Sequence, residues 1–317
     1  MAEDEACCRS ARAHQVLRDP EGRRRLELAV PAGIVLGFLG SNGAGKTTAI
    51  RMLTTVLPPS AGAFSVGGVS HTRPEEIRQR IGVLPESAGY PERQTGEEFL
   101  RYHARLYSHS RASALARAAS LLDEVGLGER AGTLVGGFSR GMRQRLGIAR
   151  ALVNDPEVVF LDEPTLGLDP AGQRQMLDLV RRITGERGAT VLLSTHLLAE
   201  VEEVCSRVVI LNRGRVAAEG TVAEVARRAA APRRARVLVA PDLTGAALAA
   251  LPNGGSIAAV EMRPGELELT WPGEVDPETM PAEALRRLLD AQVPVVGFEL
   301  EGGRLSDAFL SMTEAGR

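Results

Sequence analysis

Nine residues, Gly40-Ser41-Asn42-Gly43-Ala44-Gly45-Lys46-Thr47-Thr48, carry the densest chemical signal in the chain. Glycine, four residues, then Gly-Lys-Thr fits the phosphate-loop pattern. The glycines let backbone N–H groups turn inward and cradle an anion at the positive end of a following helix. In such a loop Lys46 reaches the β- and γ-phosphates of a nucleotide, and the Thr47 hydroxyl ligates Mg²⁺. Of the 38 Lys plus Arg residues, a single one is lysine, and it is Lys46. Arginine is a wide planar fork, whereas lysine is a compact charge that can lie along a tightly wrapped loop.

Two carboxylates supply the next piece of chemistry. Val158-Val159-Phe160-Leu161-Asp162-Glu163 reads as an apolar strand with an acidic end. In a phosphate-loop fold, Asp162 can hold Mg²⁺ through water and Glu163 can polarise the attacking water. A further buried run, Ala189 to Leu193, delivers Ser194-Thr195-His196. A lone histidine is usually structural, but one at a strand C-terminus in this fold is placed to contact the γ-phosphate. Finally, Ser139 and Gly141 open a helix that continues through Leu146, Ile148 and Leu152. Ser139 is a good N-cap and Gly141 permits close backbone approach, giving a second helix start suited to an anion. By itself that signal is weak, because most such stretches are simply capped helices.

These residues need elements to hold them. Ile34 to Leu39 reads as a buried strand, and Thr48 to Leu57 as a helix stopped by Pro58 and Pro59. Leu26 to Val30 alternates as a half-buried strand beside a basic cluster, Arg23 to Arg25, that reads as a solvated edge. Ala63 to Val69 is a β segment, and Ile81 to Leu84 a short strand ending in Pro85-Glu86. Between Thr95 and Val125 the pattern is helical, with Phe99, Tyr102, Leu106, Tyr107, Leu115, Leu121, Leu122 and Val125 as expected core. The expected architecture is α/β, a phosphate-loop core with a helical insert at about 87–152.

The whole chain sets limits. A length of 317 residues predicts two domains, and a net charge of −2 gives no support to nucleic-acid binding. No run approaches about 18 uninterrupted apolar residues, so no span is expected. The acidic start lacks a signal peptide's apolar core, and Cys7, Cys8 and Cys205 make no disulfide framework. The expected location is the cytosol.

Together, the motifs resemble the ATP-binding-cassette (ABC) ATPase family over roughly residues 26–225. By that resemblance Gly40 to Thr48 is Walker A, and Phe138 to Met142, with Ser139, Arg140 and Gly141, is the family signature. Asp162 and Glu163 end Walker B, Leu168 and Asp169 lie in the D-loop, and His196 is the switch histidine. Val208 to Arg215 is similar to the family's closing β-hairpin. The resemblance implies ATP and Mg²⁺ as ligands, with Thr47, Glu86 and Asp162 around the metal. Lys46, Glu163 and His196 are then the catalytic groups. It further implies a head-to-tail dimer of two copies, with Walker A of one facing the signature of the other. The nearest group is the stand-alone ATPase subunits of drug-export (ABC-2) transporters. Their membrane-spanning permease is a separate polypeptide, so the subunit would sit on the inner face of the cell membrane. A soluble, non-transport ABC ATPase or a regulatory cassette is the alternative.

Three departures stand out. The signature reads Phe-Ser-Arg-Gly-Met rather than Leu-Ser-Gly-Gly-Gln, so Arg140 adds a charge beside the expected phosphate. Glu86 stands where the family has its Q-loop glutamine. No tyrosine precedes Tyr90, so the adenine-stacking aromatic before Walker A is missing, with His14 or an arginine in 18–25 as the candidate substitute. The nucleotide domain is placed at 1–228 and a small accessory domain at 236–317. There the order strand, helix, strand, strand, helix, strand (Val237 to Leu300) predicts a ferredoxin-like unit, with Trp271 in its core.

Overall fold

In the computed structural model the described residues are 11–15, 26–59, 62–228, 234–251, 257–271, 279–301 and 305–314. The chain divides into two units, Met1–Val222 and Ala223–Arg317. Among the described residues no helix is long and apolar enough to cross a membrane.

The first unit opens with β1 (Ala11–Gln15) and β2 (Leu26–Val30), paired antiparallel. Next come β3 (Val35–Gly40), α1 (Lys46–Leu53), β4 (Ser65–Val66), β5 (Val69–Ser70), α2 (Pro74–Arg80) and β6 (Ile81–Leu84). The helical insert is α3 (Gly96–Leu106), α4 (Arg111–Glu124) and α5 (Arg140–Ala151). The chain then returns through β7 (Val158–Asp162), α6 (Pro170–Arg187), β8 (Thr190–Thr195), α7 (Leu198–Val204), β9 (Arg207–Asn212) and β10 (Arg215–Thr221). The main sheet runs β10-β9-β3-β8-β7-β6, parallel except for β10. Every residue of β3, β7 and β8 is buried. A parallel strand covered on both faces has no polar side to show, which is why these three read as unbroken apolar runs. Because they are parallel neighbours, their chemical ends lie together at one end of the sheet: Leu39 pairs with Thr195 and Asp162 with Ser194.

Several sequence expectations change here. The first helix stops at Leu53, not Leu57, because Thr55 turns left-handed at φ 62° and the chain leaves the helix with Val56 67% exposed. The β segment at 63–69 is a hairpin, split by Gly67 and Gly68 at φ 56° and 74°. In the insert, Phe99, Leu121, Leu122 and Val125 are core, but Tyr102, Leu106, Tyr107 and Leu115 are exposed. Tyr102 and Leu106 lie across α3 from the buried Leu100 and Ala104. Small residues, Ala104, Ala114 and Ala118, fill the helix contact instead. The 18-residue α6 and the shorter α2 and α7 were not anticipated.

Helix α8 (Val222–Arg228) starts at the last residue of the first unit, and the second unit goes on with β11 (Arg234–Val239), α9 (Thr244–Ala250), β12 (Ala258–Arg263), β13 (Glu266–Thr270), α10 (Thr279–Asp290), β14 (Val295–Glu301) and α11 (Leu305–Glu314). Its sheet runs β12-β13-β11-β14, antiparallel throughout, which is the ferredoxin-like order. Trp271, one residue past β13, is buried in its core with Leu267, Leu269 and Leu288. The closing α11 was not anticipated.

Candidate active site

The loop between β3 and α1 is shaped by its glycines. Gly43 and Gly45 take φ 81° and 104°, and a Cβ on Gly40 would meet Ala44 and the Leu211 carbonyl within 2.9 Å. The Ser41 carbonyl accepts from Ala44 N–H at 3.0 Å, closing the turn. Gly45 caps α1 with no side-chain hydrogen bond, and the first turn holds no acid. The opening N–H groups of α1 are thus left for a ligand. Lys46, only 7% exposed, donates from Nζ to the Gly40 carbonyl at 2.6 Å and lies 3.8 Å from Glu163 Oε1. A buried ammonium with such thin compensation favours an incoming anion.

At the neighbouring strand ends, Asp162 Oδ1 accepts from Ser194 Oγ at 2.7 Å, and Glu163 N–H donates to the Ser194 carbonyl at 3.0 Å. Glu163 itself is left-handed at φ 50°, a strained state for a residue with a side chain. Its carboxylate spans two partners: Oε1 faces Lys46, and Oε2 lies 2.8 Å from His196 Nδ1. A cavity of about 520 Å³ brings together Ser41 to Gly43, Gly45 to Thr48, Glu86, Glu163, Leu166 and His196. Gly40 and Ala44 are buried beneath it, and Asp162, 3% exposed, stands behind.

Among the described residues no group of three His, Cys, Asp or Glu could hold a metal by itself. The donor set still suits Mg²⁺: one hydroxyl (Thr47) and two carboxylates (Glu86, Asp162) are hard oxygen ligands, and this ion ordinarily completes its shell with phosphate oxygens and water.

The other expected site residues lie elsewhere. Ser139, Arg140, Gly141 and Asp169 line a second cavity of about 430 Å³ with Gly167 and Leu168. Ser139 Oγ accepts from Met142 N–H at 3.2 Å, capping α5, and Asp169 Oδ1 accepts from Gly172 N–H at 3.0 Å, capping α6. Arg140 is laid against Gly167, whose missing Cβ would fall 2.5 Å from its Nη1. Met142 faces a third cavity, beside Asp123 and Arg145. Glu86 and Arg140 also share a cleft with Arg143. Sequence reasoning missed Leu166, Ser194 and Gly167 as parts of the site. Ser194 was findable, since alternate positions at the end of β8 must serve both sheet faces. The adenine-stacking candidates, the His14 side chain and 18–25, fall outside the described residues.

Matches to known proteins give the family. Residues 24–166 match the ABC transporter family model. The daunorubicin resistance ATP-binding protein DrrA3 of Streptomyces coeruleorubidus is 37% identical over 289 residues, covering 91% of this chain and 90% of that one. The daunorubicin/doxorubicin resistance ATP-binding protein DrrA of Streptomyces peucetius is 46% identical over 201 residues. That match spans 63% of this chain and 61% of the relative, less than two thirds of its length. A solved ATP-binding subunit of an ABC transporter is 33% identical, with a TM-score of 0.61, covering 69% of this chain and 92% of that chain. A phosphate loop, an acidic strand end and a histidine are thus joined in one cleft, within a chain matched almost end to end. The chain belongs to the ABC transporter family and is one of its ATP-binding, ATP-hydrolysing proteins.

Proposed function

We propose that this chain is the ATP-hydrolysing subunit of an exporter that moves a drug-like or hydrophobic compound through a separate membrane permease. The observation that carries the hydrolytic part is the Glu163 carboxylate, held between Lys46 and His196 at the mouth of the phosphate loop. The export direction draws on relatives that are named for daunorubicin resistance.

In this reading the N–H groups of residues 41–48 and the Lys46 ammonium hold the β- and γ-phosphates. Thr47, Asp162 and Glu86 would hold Mg²⁺, which neutralises phosphate charge when bound. Glu163 orients and deprotonates the attacking water, and His196 meets the γ-phosphate while steadying Glu163. In this reading the γ-phosphate faces outward from the cleft. Two copies pair head to tail, so that Ser139 to Gly141 of one cover the phosphates held by the other, with Asp169 beside them. The permease sits in the membrane, and this subunit on its inner face. Nucleic acid is no partner, given a net charge of −2.

The test is efflux. Cells making this chain with a multi-span membrane partner should lower their content of a fluorescent hydrophobic drug, and the Glu163→Gln chain should not. Equal drug content with either version would overturn the reading.

A further inference from the structure

Thr195 and Glu200 stand behind the site and line no part of its cavity. Thr195 is fully buried at the end of β8, and Glu200, on α7, is 5% exposed. The Thr195 hydroxyl donates to Glu200 Oε2 at 2.7 Å and accepts from Leu197 N–H at 3.0 Å. Glu200 Oε1 has no hydrogen-bond partner among the described residues, so Thr195 orients the carboxylate. At many helix starts a glutamate in the first turn reaches back to the N-cap amide directly. Here Leu197 is the N-cap, and the Thr195 hydroxyl is inserted between that amide and Glu200.

The insertion matters because of what lies inside it. Residue 195 is tied through its side chain and residue 197 through its amide, and His196 is the residue between. Its side chain is 45% exposed, and among the described residues its ring meets Glu163 Oε2. Packing does not aim an imidazole that open to water. Its direction follows from the backbone, and the backbone is pinned on both sides by one buried hydroxyl. Ser194, one residue earlier, holds Asp162 and the Glu163 amide. Consecutive residues of β8 therefore serve the two sides of the sheet: Ser194 fixes the carboxylates, and Thr195 fixes the histidine.

We propose that Thr195 and Glu200 are positioning residues for hydrolysis, a buried pair that sets the angle at which His196 meets Glu163 and the γ-phosphate. This rests on the role given to His196 above. Misplacing a reacting group by a fraction of its reach costs on the order of 10- to 100-fold in rate. Thr195→Val keeps the shape and loses both hydrogen bonds, so kcat for ATP should fall by about that factor with KM nearly unchanged. Thr195→Ser keeps the hydroxyl and should restore most of the rate. Glu200→Gln should fall between them, and it carries the test if the valine variant does not fold. The deciding measurement is a double-mutant cycle with His196→Ala. If the pair acts through His196, Thr195→Val and Glu200→Gln should lower kcat little further in that background. An equal drop with and without His196 would show a general structural role and overturn the proposal. So would a raised KM with kcat intact. If His196→Ala alone left kcat unchanged, the role of His196 would fall and the proposal with it. A slow His196→Ala beside a normal Thr195→Val would overturn this inference while leaving the histidine's role standing.

Discussion

Helices α1 and α5 both begin at a cavity suited to an anion, and they begin in opposite ways. The start of α1 is internal: Gly45 caps it without a side chain, Lys46 is buried, and the Gly40 carbonyl holds the ammonium. The start of α5 is external: Ser139 and Arg140 are exposed, Ser139 satisfies Met142 N–H by itself, and Arg140 leans on Gly167. One is a preorganised cradle of backbone donors around a buried ammonium. The other is a finished helix end with its charge turned outward, the form expected of a surface that completes a site on another molecule. On the proposed reading, chemistry sits with the first and coverage with the second.

The sharpest way to break that division is Glu163→Gln. The amide keeps the shape and the contact with His196 but cannot take a proton, so hydrolysis should slow on the order of 10²–10⁴-fold while nucleotide binding persists. Near-normal turnover, followed by phosphate release, would remove Glu163 from the chemistry. The slowed variant then exposes the second cavity. In Mg-ATP it should sediment as a dimer and in ADP as a monomer, and adding Ser139→Arg should abolish the dimer with monomer ATP affinity nearly unchanged. A dimer indifferent to Ser139→Arg would mean that α5 covers nothing; where the isolated subunit stays monomeric, the permease complex is the sample to test.

A smaller effect separates shape from charge within the first cavity. Lys46 has one carbonyl and one carboxylate within 4 Å, in a space that is 7% exposed. Lys46→Arg keeps the charge but must fit a wide fork there, so ATP affinity should fall about tenfold or more. Equal affinity by fluorescence titration would refute the argument from the lone lysine.

The difference between the two cavities also governs what the sequence makes legible. Walker A needs glycines, a lysine and a threonine at fixed spacing, because backbone donors must converge on phosphate. Such a constraint is local, and it can be read from Gly40 to Thr48 alone. Asp162 and His196 are equally readable, since each ends a buried parallel strand. What cannot be read is approach in three dimensions: Arg140 against Gly167, or Thr195 reaching Glu200 behind His196. The missed α6 had its signals in place, with Asp169 as N-cap, Pro170 first and Gly188 left-handed at its end. Asp169 has two roles, one in the D-loop and one as a helix start, and a single motif shows only the first. In the insert, aromatics on α3 and repeated alanines on α4 concealed which face was inward. Tyr102 and Leu106 look like core by type and are surface by phase.

The smallest effect concerns the insert that carries α5. His103 on α3 packs edge-on to Phe99 at 4.6 Å and Tyr102 at 5.4 Å. Burial, and then the Arg150 charge on α5, lower its pKa from 6.5 to about 4. The folded insert therefore prefers neutral histidine, while the unfolded chain takes up a proton below about 6.5. Stability from this group is complete above that value and is lost as pH falls from about 6.5 to about 4. Because the ring is only half-buried, solvent screening limits the loss between pH 7 and 5 to about 1 kcal/mol. The consequence is regional. At pH 5, hydrogen exchange should quicken in α3 and α5 while the amides of β3 and α1 keep their protection. His103→Gln should remove most of that difference between the two pH values. If instead α1 loosened with α5, or the glutamine variant kept the full pH response, the insert would not be the separately titrating carrier of the outward helix start.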